Sequence, residues 1–89
     1  MPTLQTYADL LRHVPSFRKG RSATEVRGLL GKPQLERDGI WIYRFSECYT
    51  DIPSQPRPGE QLFLGLTVIV KDGRAAEFHW ASLDATGPG

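Results

Sequence analysis

The run Leu62-Phe63-Leu64-Gly65-Leu66-Thr67-Val68-Ile69-Val70-Lys71-Asp72-Gly73-Arg74-Ala75-Ala76-Glu77-Phe78-His79-Trp80-Ala81-Ser82-Leu83 reads as two strands around one turn. Leu62–Val70 is almost wholly apolar and rich in branched side chains, which suit a pleated surface. Asp72-Gly73 is the signature of a two-residue type I′ turn, in which both central residues take positive φ. Such a turn fixes a register. It sets Val70 opposite Ala75, Val68 opposite Glu77, Leu66 opposite His79 and Leu64 opposite Ala81. On the other face Ile69 meets Ala76, Thr67 meets Phe78, and Gly65 meets Trp80. A bulge near Gly65 would shift this pairing. In the unshifted register both faces carry large apolar side chains: Leu62, Leu64, Leu66, Val68 and Val70 on one, Phe63, Ile69, Phe78 and Trp80 on the other.

Upstream of this hairpin the period of two persists. Asp38-Gly39 is a second hairpin signal and joins Leu35–Arg37 to Ile40–Phe45. Trp41, Tyr43 and Phe45 alternate with Ile40, Ile42 and Arg44. Earlier still the period becomes helical. Leu4, Tyr7, Leu10, Leu11 and Val14 form one stripe, with Thr3 or Thr6 as the cap and Pro15 as the stop. Val26, Leu29 and Leu30 form another. It opens on Ser22-Ala23-Thr24-Glu25, the pattern of a capping box, and closes on Gly31 and Pro33. Gly28, inside this second helix, suggests close approach of a neighbouring element. The expectation is therefore an α+β fold, with two N-terminal helices packed on one face of a three- to four-stranded antiparallel sheet. Residues 1–83 make one domain and 84–89 a flexible tail.

Two helices cover one sheet face. The second apolar face is then left either for a partner or for the Pro-rich loop 46–61, which has three prolines and a glycine and admits no regular element. The partner surface expected on this reasoning is Phe63, Ile69, Phe78 and Trp80, joined by Tyr49 and Ile52 from the loop.

With 89 residues the chain holds one core. No apolar run approaches the ~20 residues of a membrane helix. One cysteine permits no internal disulfide. No secretory signal is visible after Met1, and the cytoplasm is the expected compartment. Residues 1–44 carry eight Lys/Arg against four Asp/Glu, whereas residues 45–89 carry three against six. This polarity would help the basic half of one copy meet the acidic half of another. Arg18, Lys19 and Arg21 are the densest basic stretch, but a net charge of +1 favours a solvated loop over a nucleic-acid contact.

The residues themselves specify no reaction. Cys48, His13 and His79 are the candidate nucleophile and bases, and no local signature joins them. Cys48 with His79 is the enzymatic alternative. Two histidines and a cysteine at distant positions match no zinc spacing. Glu47, Asp51 and Glu60 are the loop carboxylates and read as solubilising charges. The expectation is a non-enzyme with no cofactor and no small-molecule substrate.

Phe17, Gly20, Ser22, Glu25-Val26, Leu30-Gly31-Lys32-Pro33 and Trp41-Ile42-Tyr43-Arg44-Phe45, continued by Leu66, Val68 and Asp72-Gly73-Arg74, form a recurring pattern. It resembles the SmpA/OmlA family of small outer-membrane assembly lipoproteins and the related half-domain of β-lactamase inhibitor proteins. The resemblance spans roughly residues 10–80. It implies two helices on an antiparallel sheet and a binding domain without catalytic residues. Family lipoproteins carry a signal peptide and a lipid-bearing cysteine near the mature start, and neither is seen here. The function expected is a protein-interaction module that self-associates through its sheet face. The alternatives are an inhibitor or immunity-type protein that blocks an enzyme, and an envelope assembly factor whose leader has been removed.

Overall fold

A computed structural model describes residues 3–84. Its elements follow in the order α1 (Tyr7–His13), α2 (Ala23–Leu30), β1 (Leu35–Arg37), β2 (Ile40–Arg44), β3 (Gln61–Lys71) and β4 (Arg74–Asp84). The four strands form one antiparallel sheet in sequence order, which makes the fold α+β.

Each element starts and stops for a local reason. Thr6 caps α1, its hydroxyl accepting from the Asp9 amide at 3.1 Å. A 3-10 turn carrying Pro15 follows over Val14–Ser16. Ser22 occupies the N-cap of α2, but its side chain makes no capping bond. The Glu25 carboxylate turns to the Arg21 guanidinium, 3.1 Å away, which takes away the returning half of the expected box. Gly31 ends α2 at φ +79°, donating to the Arg27 carbonyl, and Pro33 prevents resumption. Gly28 serves no close approach, since a Cβ there would meet nothing within 4 Å.

Asp38-Gly39 and Asp72-Gly73 both form turns with two positive φ values, as their sequences predict. The first hairpin pairs Leu35 with Ile42 and Arg37 with Ile40. β2 then pairs Trp41 with Val68 and Tyr43 with Leu66. Phe45 lies past the strand end, in a short 3-10 turn over Phe45–Glu47, so a regular element does enter the start of the loop.

The long hairpin departs from the register that its turn alone dictates. Val70 faces Ala75 as expected, but Ile69 faces Glu77, so Ala76 is an extra residue on β4. Beyond it Val68 pairs with Phe78, Thr67 with His79, Leu66 with Trp80 and Gly65 with Ala81. A second irregularity leaves Leu64 unpaired between Phe63–Ser82 and Gly65–Ala81. The first bulge has a clear cause. Without it Glu77 and His79 would stand against Val68 and Leu66, which are 0% and 1% exposed. Burying an unpaired carboxylate there would cost several kcal/mol. One inserted residue turns Glu77 and His79 to solvent and brings Phe78 and Trp80 to the core side. Gly65 lies under no Trp80 ring. It is required because a Cβ would fall 2.7 Å from the Tyr43 carbonyl oxygen on β2.

One core cluster draws Tyr7 and Leu10 from α1, Val26 and Leu30 from α2, and Trp41, Tyr43, Leu66, Val68 and Ala75 from the strands. The Tyr43 hydroxyl donates to the Gly31 carbonyl at 2.8 Å, tying β2 to the end of α2. The Arg27 guanidinium lies 5.5 Å above the Trp41 ring. The basic stretch is structural in part. Gly20 and Arg21 exchange backbone hydrogen bonds with Ala75 at 2.7 Å, and Ser22 bridges Arg74, which covers the first residues of the β4 edge. Asp84, expected in the tail, pairs with Gln61 at the end of β4. The rest of the expected tail, 85–89, lies outside the described residues.

Candidate interaction surface

Alternation along each strand sorts the sheet into two faces. Trp41 and Tyr43 lie on one, and their cross-strand partners Val68, Leu66, Phe78 and Trp80 share it. The opposite face is built of rows that run across the strands. Arg37, Ile40, Ile69 and Glu77 form one row, and Leu35, Ile42, Thr67 and His79 form the next. Arg44, Gly65 and Ala81 form a third across the last three strands.

This outer face is apolar in the middle and charged at its edges. Leu35 and Ile40 are 49% and 40% exposed, so nothing in the described chain covers them. Ile42, Thr67 and Ile69 are partly exposed. The Arg37 guanidinium sits 3.9 Å from the Asp38 carboxylate, with both side chains almost fully in water, and the pair holds it weakly. At the other edge the Glu77 carboxylate lies 3.2 Å from His79 Nε2. At the far end of β2, Gln34 Oε1 accepts from the Arg44 amide at 2.7 Å.

Of the six residues expected at a partner surface, Ile69 alone lies on this face. Phe78 and Trp80 are partly buried on the opposite side, where Phe17 sits 6.0 and 5.9 Å from their ring centres. Phe45 and Phe63 pack on Trp80 at 6.1 and 4.9 Å. Tyr49 is buried beside Phe45, and Ile52 packs against the core. The Ala76 bulge moves Phe78 and Trp80 off the expected face, and Phe63 lies beyond the second irregularity, at Leu64.

The loop does not cover the outer face either. Both Asp51 carboxylate oxygens accept from the Tyr7 amide at 3.1 Å, so this residue, read as a solubilising charge, anchors the loop to the first turn of α1. Glu47 pairs with Arg44 at 3.4 Å, and Glu60 is exposed.

The candidate nucleophile and bases stand apart, each with its own neighbour. Cys48 is exposed and receives the Gln34 side-chain amide at 2.9 Å. His79 faces Glu77, and His13 Nδ1 lies 3.0 Å from the Asp9 carbonyl oxygen. Among the described residues no three His, Cys, Asp or Glu side chains cluster as metal ligands. No described helix is long and apolar enough to cross a membrane.

Burial perturbs the chain's three tyrosines. It raises the Tyr43 hydroxyl strongly, with Arg27 opposing and Glu36 and Cys48 adding. It pushes Tyr49 up to about 12, reinforced by Cys48, Asp9 and Asp51. It also raises Tyr7, against the hydrogen bond that the Phe63 amide donates to the Tyr7 oxygen at 2.7 Å.

Sequence reasoning saw Ile40, Ile42 and Arg44 opposite the aromatic stripe of β2. It missed Leu35, Arg37 and Glu77 as their companions. Leu35 and Arg37 follow from the two-residue turn at Asp38-Gly39. Placing Glu77 needs the bulge.

Comparison with known families, characterised proteins and solved structures found no match.

Proposed function

We propose that this chain is a non-enzymatic protein-interaction module of SmpA/OmlA-like type, which self-associates through its outer sheet face. In this reading both helices belong to the Trp41–Tyr43 face and the other face is kept for docking. The observation that supports it is the aliphatic strip of exposed Leu35 and Ile40 and partly exposed Ile42 and Ile69, outside a core that is complete without it. The separate surroundings of Cys48, His13 and His79 favour binding over catalysis.

Mass in solution tests the reading, by light scattering coupled to size exclusion over a concentration series. The average mass of the wild type should rise toward twice the monomer, and Ile42→Glu should hold it at the monomer. A wild type that stays monomeric throughout, or an Ile42→Glu chain that associates like the wild type, would sink it.

A further inference from the structure

We infer that the docking partner is a second copy of this chain, related by a two-fold axis parallel to the strands that sets β1 of each copy over β4 of the other. This rests on the docking reading above and adds the arrangement. The argument is the order of side chains across the sheet. One row runs Arg37, Ile40, Ile69, Glu77: cation, aliphatic, aliphatic, anion. A two-fold axis between β2 and β3, lying along the strands, reverses that row onto itself. Arg37 then stands over Glu77 of the second copy, and Ile40 over Ile69. The next row, Leu35, Ile42, Thr67 and His79, sets Ile42 over Thr67 and Leu35 over the apolar edge of the His79 ring. A two-fold axis across the strands sets β1 over β1 and β4 over β4: through this row it stacks Arg37 on Arg37 and Glu77 on Glu77, and between the two rows it sets Arg37 over Leu35, so neither placement brings Arg37 to Glu77. Both arrangements keep the strands of the two sheets within the ~30° of aligned face-to-face packing, so the charges decide between them.

The interface is isologous, so every contact occurs twice. Arg37 and Glu77 are free to engage, because their partners within the chain are their exposed neighbours Asp38 and His79. Strands ~4.8 Å apart, three residues long in β1 and about five deep in the other three, give a face of roughly 300 Å². That lies well below the ~800 Å² per partner of a standard interface, so the dimer should be reversible and salt-sensitive.

A charge swap tests the arrangement by sedimentation equilibrium, from about 1 to about 500 micromolar, a range that spans weak association. Arg37→Glu and Glu77→Arg should each weaken dimerisation at least ~10-fold, since each places like charges together twice. An equimolar mixture of the two variants should regain the wild-type affinity as a heterodimer, because both contacts are then attractive. The melting transition of each variant alone establishes that it is folded. Ile42→Glu separates the two levels of argument. If it is monomeric while both charge variants dimerise like the wild type, the face is right and the arrangement wrong. A mixture that stays as weak as its components also overturns the arrangement. A wild type monomeric throughout overturns both.

Discussion

Raising the pH should unfold this domain through its tyrosines, and Tyr43→Phe should remove a defined share of the effect. Tyr43 and Tyr49 are 1% and 6% exposed, so burial disfavours their anions. In the unfolded chain they ionise near the ordinary value of 10.0, whereas in the folded chain they hold their protons to higher pH. The folded state therefore binds more protons above pH 10. The stabilisation is fully present below that value and is lost as pH climbs through the folded range. Each buried tyrosine contributes a slope of about 1.4 kcal/mol per pH unit. By about pH 11 Tyr43 and Tyr49 together should cost about 3 kcal/mol relative to about pH 8. Tyr43→Phe leaves the Gly31 carbonyl without its 2.8 Å partner, at a cost of about 1–2 kcal/mol near neutrality. It also removes one titrating group, so its alkaline loss should be smaller by about 1.4 kcal/mol. The two stabilities should therefore converge near about pH 11. Urea midpoints for both chains at a series of pH values measure this directly, with tyrosinate absorbance read in parallel. An equal alkaline loss in both chains would refute the reasoning, as would tyrosinate forming near pH 10 in a chain that stays folded.

Two pairs of substitutions test the packing argument. Gly28→Ala should stabilise the domain by about 0.5–1 kcal/mol, because a Cβ in this exposed helical position meets nothing. Gly65→Ala should destabilise it by about 1–3 kcal/mol, because its Cβ would strike the Tyr43 carbonyl oxygen; thermal melts that ranked the two the other way would contradict the sheet geometry. Thr6→Ala should lose about 1 kcal/mol, whereas Ser22→Ala should lose much less, since only Thr6 caps with its side chain. Equal losses in chemical denaturation would show that the box at Ser22 forms after all.

Much of the fold was legible because local chemistry decided it. The two Asp-Gly turns, a threonine cap at Thr3 or Thr6 and the Gly31 stop each depend on a few adjacent residues. Their consequences for β1, β2, α1 and α2 follow directly. What was not legible lay in competition between distant demands. The Asp72-Gly73 turn and the burial of Val68 and Leu66 ask for opposite phases of β4, and the chain satisfies both by inserting Ala76. The conflict was present in the sequence, since the turn-only register set Glu77 and His79 against what became core. Resolving it required knowing which face the rest of the chain covers. The aromatic side chains expected on the outer face accordingly pack against the core instead, and the outer surface rests on aliphatic residues of β1, β2 and β3. Asp51 was illegible for a similar reason. A carboxylate in a Pro-rich loop looks like a solvated charge until α1, 44 residues earlier, is placed beside it.

The anchoring of the loop at Tyr49, Asp51 and Ile52 divides residues 46–61 into two stretches of unequal tolerance. The first is committed to α1 and the core. From Pro53 to Glu60 every residue except Pro56 is exposed, and one backbone hydrogen bond, from Glu60 to Arg57, closes the stretch. The entropic cost of lengthening an exposed loop grows only slowly, by about 0.6 kcal/mol per doubling. Since the loop's anchors hold it to the core side, this stretch is a port for grafted sequence: an acceptor peptide for biotin or a fluorophore placed between Ser54 and Gln55 would tether the domain to a surface and leave the Arg37–Glu77 row uncovered.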